Sequence, residues 1–126
     1  MKELTKSNND TLIAIVDDDE SVCEALESLL ESIGFRTATF TSARSFLDSP
    51  EFPSVSCVIL DVSMPVMTGL ELQRHLAASH PLPIIFITAR NADTREQALR
   101  AGAVGFLTKP FSDKALIDAL DSALGA

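Results

Sequence analysis

The chain lacks any apolar run approaching the roughly 18 residues that a membrane-spanning helix needs, so no segment reads as transmembrane. Basic residues are scarce, with 10 Lys and Arg against 18 Asp and Glu and a formal net charge of -8. A nucleic-acid backbone demands a cationic surface, and this balance argues against such a partner for the chain itself. It suits a cation, a basic partner or plain solubility. Cysteine is limited to Cys23 and Cys57, each inside an apolar stretch, where both read as reduced core residues. Residues 1–10 are polar and lack the apolar stretch of a signal peptide, so they read as a flexible, solvated lead-in. These features together suggest a cytoplasmic protein. There is no internal repeat, low-complexity tract or linker, and 126 residues make one ordinary domain, expected over residues 11–126.

What is present is a regular alternation. Hydrophobic residues make up 46% of the chain, enough to bury a core. Leu12–Val16 is a short apolar run that stops at three aspartates, as a buried strand does. Residues 20–33 carry Val22, Leu26, Leu29, Leu30 and Ile33 at helical spacing, and Gly34 follows where a left-handed cap costs least. Arg36–Phe40 is rich in β-formers, and residues 42–49 read as a short helix. Residues 55–60 form a second apolar strand ending at Asp61, and Gly69–Ser79 is helical until His80, Pro81 and Pro83. Residues 84–87 are a strand ending at Thr88, and residues 92–101 a helix closed by Gly102. Gly105–Thr108 is a strand ending at Lys109-Pro110. Residues 112–124 are the last helix, with Ser112 and Asp113 as cap candidates and Leu116, Ile117, Leu120 and Leu124 as its buried stripe. Five strand–helix units in strict alternation predict an α/β fold: a doubly wound parallel sheet of five strands with five flanking helices.

Ligand sites in such sheets lie beyond the carboxyl ends of the strands. The residues there are Asp17, Asp18 and Asp19 after the first strand, Asp61 after the third, Thr88 after the fourth and Lys109 after the fifth. Crowded carboxylates repel, and a cation relieves them; oxygen-only ligands suit Mg²⁺. A carboxylate beside such a metal is a nucleophile toward phosphorus, and the phosphoryl oxygens then need an ammonium and a hydroxyl, which Lys109 and Thr88 supply. Taken singly, each residue also has an ordinary reading. The three aspartates suit a helix N-terminus, Asp61 suits the start of a loop, and Thr88 is a common strand residue. Their joint placement at successive strand ends favours phosphoryl transfer to a carboxylate.

The motifs Ile15-Val16-Asp17-Asp18-Asp19, Leu60-Asp61-Val62-Ser63-Met64-Pro65 with Gly69, Ile87-Thr88-Ala89, and Gly105 through Phe111 occur in order between Leu12 and Leu124. In them the chain resembles the receiver domain of two-component response regulators, most closely the FixJ-type subgroup. The resemblance implies a flavodoxin-like sheet of order 2-1-3-4-5. It also implies that Asp61 is the phosphoacceptor, that Asp18 binds Mg²⁺ with Asp17 beside it, and that the backbone carbonyl of Ser63 is a further ligand. Thr88 would bond the phosphoryl group, Lys109 would pair with it, and Phe106 would be the switch aromatic. A cis Lys109-Pro110 bond belongs to the same pattern. Asp19 is a third acid, best read as a cap for the first helix. Ser63 and Arg90 flank the site where receivers vary.

The implied function is a signalling switch: a sensor histidine kinase donates to Asp61, and the face of the fourth helix, fifth strand and fifth helix changes to dimerise or bind a partner. On that face Arg95, Arg100, Asp118 and Asp121 either form intersubunit ion pairs or remain a solvated surface. In the FixJ-type subgroup a helix-turn-helix DNA-binding domain follows the receiver, so transcriptional control is the expected output, with a free-standing receiver as the alternative. The chain would then not be an enzyme beyond its own phosphorylation and dephosphorylation. Two rivals are weaker. A Mg²⁺-dependent aspartyl-phosphate phosphatase typically has a second acid two residues after its nucleophile, where this chain has Ser63. A flavin domain of this topology needs a Ser/Thr/Gly-rich first loop, where this chain has Asp17-Asp18-Asp19-Glu20.

Overall fold

A computed structural model describes residues 11–64, 66–88 and 94–124, with the side chains of Thr94 and Arg95 excepted. The expected lead-in over residues 1–10, the flanking residues Ala89 and Arg90 and the side chain of Arg95 therefore lie outside the described residues. The elements run β1 (Leu12–Val16), α1 (Glu20–Ser32), β2 (Arg36–Phe40), α2 (Ala43–Leu47), a 3₁₀ turn (Phe52–Ser54), β3 (Cys57–Asp61), α3 (Gly69–Ser79), β4 (Ile84–Thr88), α4 (Thr94–Arg100), β5 (Gly105–Thr108) and α5 (Asp113–Ala123). All pairings are parallel and the strand order is β2-β1-β3-β4-β5, as the receiver resemblance implies.

Every residue of the central strands β1, β3 and β4 is buried, because helices cover both faces of the sheet there, while the edge strands β2 and β5 keep exposed positions. Leu12, Ala14, Val16, Val58, Leu60 and Phe86 face the side of α2 and α3, where Phe46, Leu72 and Leu76 meet them. Ile13, Ile15, Ile59, Ile85 and Ile87 face the other side, against Cys23, Leu26 and Leu30 of α1 and Leu116 and Leu120 of α5. Both cysteines are buried and free. Fully burying one such aliphatic side chain is worth about 1.5–3 kcal/mol, so these two layers dominate the folding energy.

The helix ends follow the sequence signals. Asp19, Ser42 and Ser112 each accept a hydrogen bond from a first-turn backbone N–H, at 2.9, 3.1 and 3.0 Å. Thr68 and Glu71 form a reciprocal capping box at the start of α3. Gly34, at φ +100°, lets the Gly34 and Phe35 N–H groups close on the Glu31 and Leu30 carbonyls.

Three expectations need adjustment. The strand predicted over residues 55–60 begins at Cys57, because Phe52–Ser54 forms the 3₁₀ turn and the Val55 N–H bonds the Phe52 carbonyl. It ends one residue later, since Asp61 pairs in register with Ile87. In the α5 stripe only Leu116 and Leu120 are fully buried, with Ile117 and Leu124 half-buried where the stripe meets the edge of the sheet.

Val66, in the connection between β3 and α3, sits at φ +70° and is fully exposed. A β-branched residue is strained there and gains no burial in return. Val66→Gly is expected to stabilise the fold by about 1 kcal/mol, read as a higher urea midpoint with an unchanged slope.

Candidate functional site

The order in which the chain adds strands reverses between β1 and β3, and in this topology that switch point opens a crevice at the carboxyl edge. Asp17 follows β1 and Asp61 ends β3, so the two carboxylates flank the crevice. The parallel ladder continues past the strands and fixes the backbone of this rim. The Asp17 N–H donates to the Phe40 carbonyl at 3.0 Å, the Val62 N–H to Ile87 at 3.0 Å, and the Lys109 N–H to Thr88 at 2.7 Å. The same hydrogen bonding that builds the sheet thus sets the spacing of the chemistry.

Among the described residues, Asp17, Asp18 and Asp61 bring one carboxylate oxygen each within 4.8 Å of one another. Asp17 is fully buried. One of its oxygens accepts the Asp19 N–H at 2.9 Å and the other accepts Lys109 Nζ at 3.0 Å. Asp18 is exposed, and Asp61 is buried with its Oδ1 accepting the Ser63 N–H at 3.4 Å. Thr88 is buried at the end of β4, and Phe106 is buried one strand over, its ring 6.2 Å from that of Phe86. The Lys109-Pro110 bond is cis.

Burial, and then the charge of Asp17, push the Asp61 carboxyl up from an ordinary 3.8 to about 6. Asp18 adds to the rise, while Lys109 and the Ser63 N–H pull against it. Three acids facing one ammonium leave an excess of negative charge, and the donors are all oxygen. That donor set fits a hard divalent cation, with Asp17, Asp18 and Asp61 as the residues to hold it.

The structure therefore brings together Asp17, Asp18, Asp61 and Lys109, with Ser63 bonded to Asp61 and Thr88 ending the neighbouring strand, while Phe106 lies deeper in β5 opposite Phe86. Asp19 turns away to cap α1, as its sequence position suggested. Arg100 and Asp118 carry partners on the exposed faces of their own helices, Glu96 at 2.7 Å and Lys114 at 2.9 Å, while Asp121 is exposed. Two residues have positioning roles that the sequence reading did not assign, although Gly69 was quoted in a motif. Gly69 opens α3 so close to β3 that a Cβ there would sit 2.5 Å from the Asp61 carbonyl oxygen and 3.0 Å from Val62 Cα. Gln73 is buried one turn further along; its only signal is a polar residue on the stripe of Gly69, Leu72 and Leu76.

Residues 13–121 match the family described as the response regulator receiver domain. The chain is 44% identical over 120 residues to the response regulator protein TmoT of Ectopseudomonas mendocina, covering 94% of this chain and 54% of that protein. It is 38% identical over 114 residues to the transcriptional regulatory protein FixJ of Bradyrhizobium diazoefficiens, covering 89% and 56%. The solved structure of response regulator StyR is similar with a TM-score of 0.84 at 44% identity, over 92% of this chain and 60% of that one. The chain spans about half the length of the curated relatives it matches.

The raised carboxyl of Asp61 has a definite sign in stability. Its folded form holds a proton more tightly than the unfolded chain, so its contribution is full below the ordinary carboxylate range and is lost as pH rises through about 6. The rise from 3.8 to about 6 corresponds to roughly 3 kcal/mol. In chelator-treated buffer, Asp61→Asn is expected to exceed the original protein in urea stability by up to that amount at about pH 8, and to match it near pH 4. Added Mg²⁺ is expected to close the gap at high pH by stabilising only the chain that keeps Asp61.

Proposed function

The chain belongs to the response regulator receiver family, and on that premise we propose that it is the phosphoacceptor switch of a two-component system, charged on Asp61 by a sensor histidine kinase in a Mg²⁺-dependent reaction. The observation that carries this reading is the cluster of Asp17, Asp18 and Asp61 with Lys109 at 3.0 Å from Asp17, all on the carboxyl rim of the sheet. Bound there, Mg²⁺ would supply positive charge that offsets the carboxylates and the oxygens of an incoming phosphoryl group.

In the proposed step an Asp61 carboxylate oxygen bonds phosphorus as the P–N bond of the donor phosphohistidine breaks, the electron pair leaving with the imidazole. Asp18, with Asp17 beside it and the Ser63 carbonyl, would hold the metal. Lys109 moves from Asp17 toward the phosphoryl oxygens, and the Thr88 hydroxyl donates to them. Water later attacks phosphorus, the P–O bond to Asp61 breaks, and inorganic phosphate leaves as the free carboxylate is restored. The chain turns over no external substrate in this scheme, so it acts as a switch and not as an enzyme on another molecule.

The output is proposed to pass through Thr88, the last residue of β4, and Phe106, which lies within the adjacent β5 opposite Phe86, to the face of α4, β5 and α5. Leu99 and Val104 are exposed apolar residues there, beside the Glu96–Arg100 pair on α4. Such a surface suits a second copy or another protein partner. FixJ is named a transcriptional regulatory protein, and transcriptional control through a DNA-binding region outside these residues is the output we favour. A net charge of -8 supports leaving DNA contact to that region. No helix among the described residues is long and apolar enough to cross a membrane, in keeping with a cytoplasmic site of action.

Intact mass after incubation with acetyl phosphate tests the chemistry. One phosphoryl group is expected, requiring both Mg²⁺ and Asp61 and absent in Asp61→Asn. Beryllofluoride, which mimics the acyl phosphate without hydrolysing, removes the ambiguity of a short-lived adduct; no Mg²⁺-dependent binding of it would sink the proposal. Lys109→Ala is expected to bind the mimic while losing the accompanying spectral change in α4 and β5. For the output face, the mass of the beryllofluoride-bound protein is expected to rise with concentration, and a constant monomer mass argues against dimerisation.

A further inference from the structure

We propose that Gln73 pins the carboxyl end of α4 to α3, so that α4 turns about Ala98 when Asp61 is charged; this rests on the receiver reading above. Gln73 is 4% exposed, and its Nε2 donates to the Ala98 carbonyl at 3.1 Å, with both groups buried. A buried carboxamide is costly unless it is bonded, so this contact fixes its two ends rather than merely filling space.

The tied end is reinforced from its own chain. The Ala98 carbonyl also accepts the Ala103 N–H at 3.0 Å, and the Gly102 N–H closes on Leu99 at 3.0 Å with Gly102 at φ +107°. The Val104 N–H then joins the Ile84 carbonyl at 2.9 Å. A cavity of about 150 Å³ bounded by Gln73, Leu76, Leu82, Ile84 and Gly102 lies at the same place. Side-chain packing there is incomplete, and polar bonds hold the position that contacts alone would leave loose.

The carboxyl end of α4 is bonded to α3 and to the start of β4, and Thr88, the last residue described before the helix, lies on the rim. A helix of seven residues held at one end responds to a pull at the other by turning. The anchor itself is tied to the phosphoacceptor, because α3 begins at Gly69, which approaches the Asp61 carbonyl too closely to admit a Cβ. One helix thus touches the charged strand at one turn and the responding helix at the next. Gln73 is on this account a positioning residue for the switch, separate from Thr88 and Phe106.

Amide exchange and NMR spectra of the full chain test the pin. In the uncharged protein, Gln73→Leu, with Gln73→Met as a second variant of similar volume, is expected to speed exchange of the Ala101, Gly102 and Ala103 amides by about two- to tenfold. Amides of β1 and β3 should not change. When Mg²⁺ and beryllofluoride are added to the original protein, the Gln73 side-chain NH₂ resonances should hold their positions while amides of the first turn of α4 move. In the variants the same addition should spread the shifts to Ala101–Ala103, a pattern that a role in folding alone does not produce. Unchanged exchange in both variants overturns the pin, and a Gln73 resonance that moves as far as the first turn overturns the pivot. Failure of beryllofluoride to bind the original protein instead strikes the receiver reading and the pivot with it, while the exchange comparison still decides whether the pin exists.

Discussion

Asp17 and Asp61 are held side by side by strands that are themselves buried on both faces, and the repulsion between their carboxylates is the constraint that organises the rim. In water the two would separate or be screened. Here the ladder bonds from Asp17 to Phe40 and from Val62 to Ile87 keep them in place, and Lys109 is a single ammonium set against three acids. The resulting site is short of positive charge. Its all-oxygen donor set suits a dication.

The precision of this arrangement comes from backbone rather than from side chains. Gly69 brings α3 onto the end of β3 at a distance that no other residue could match, and the Thr68–Glu71 capping box fixes where that helix starts. Lys109 is placed by a bond from its own N–H to Thr88, which ties the fifth strand's end to the fourth. Movement at the rim is consequently felt by whole elements rather than by single side chains.

The sheet and its rim were readable because the physical signals are strong. Strands covered on both sides must be continuously apolar, and polar residues that interrupt such runs at their carboxyl ends stand out as Asp17, Asp61, Thr88 and Lys109 do. The start of β3 was not readable, because Val55 is buried without being paired, and composition does not separate those two conditions. Val66 carried a misleading cue, since a β-branched residue suggests extended backbone and the loop instead holds it at positive φ. Gln73 was overlooked as a lone polar residue on a helix. Its meaning lies in a carbonyl 25 positions away, which no local pattern announces. The expectation for Arg100 and Asp118 had left open a shared interface or a solvated face, and their bonds within α4 and α5 show how short-range helical pairing claims such residues first.

The two cysteines give the molecule a chemical reporter of its own opening. Burial pushes the Cys57 thiol up to about 12, and burial together with the nearby Asp17 charge pushes Cys23 up to about 11. Cys23 also donates its S–H to the Asp17 carbonyl at 3.3 Å. Both thiols therefore stay protonated and shielded from electrophiles at neutral pH while the fold is intact. A maleimide dye would react promptly with a cysteine engineered onto α4 or α5 and ignore the native pair, so fluorescent labels can be installed without first removing them. Slow labelling of the native pair would in turn count the moments when the core comes apart, in a protein whose sequence offers no tryptophan to report them.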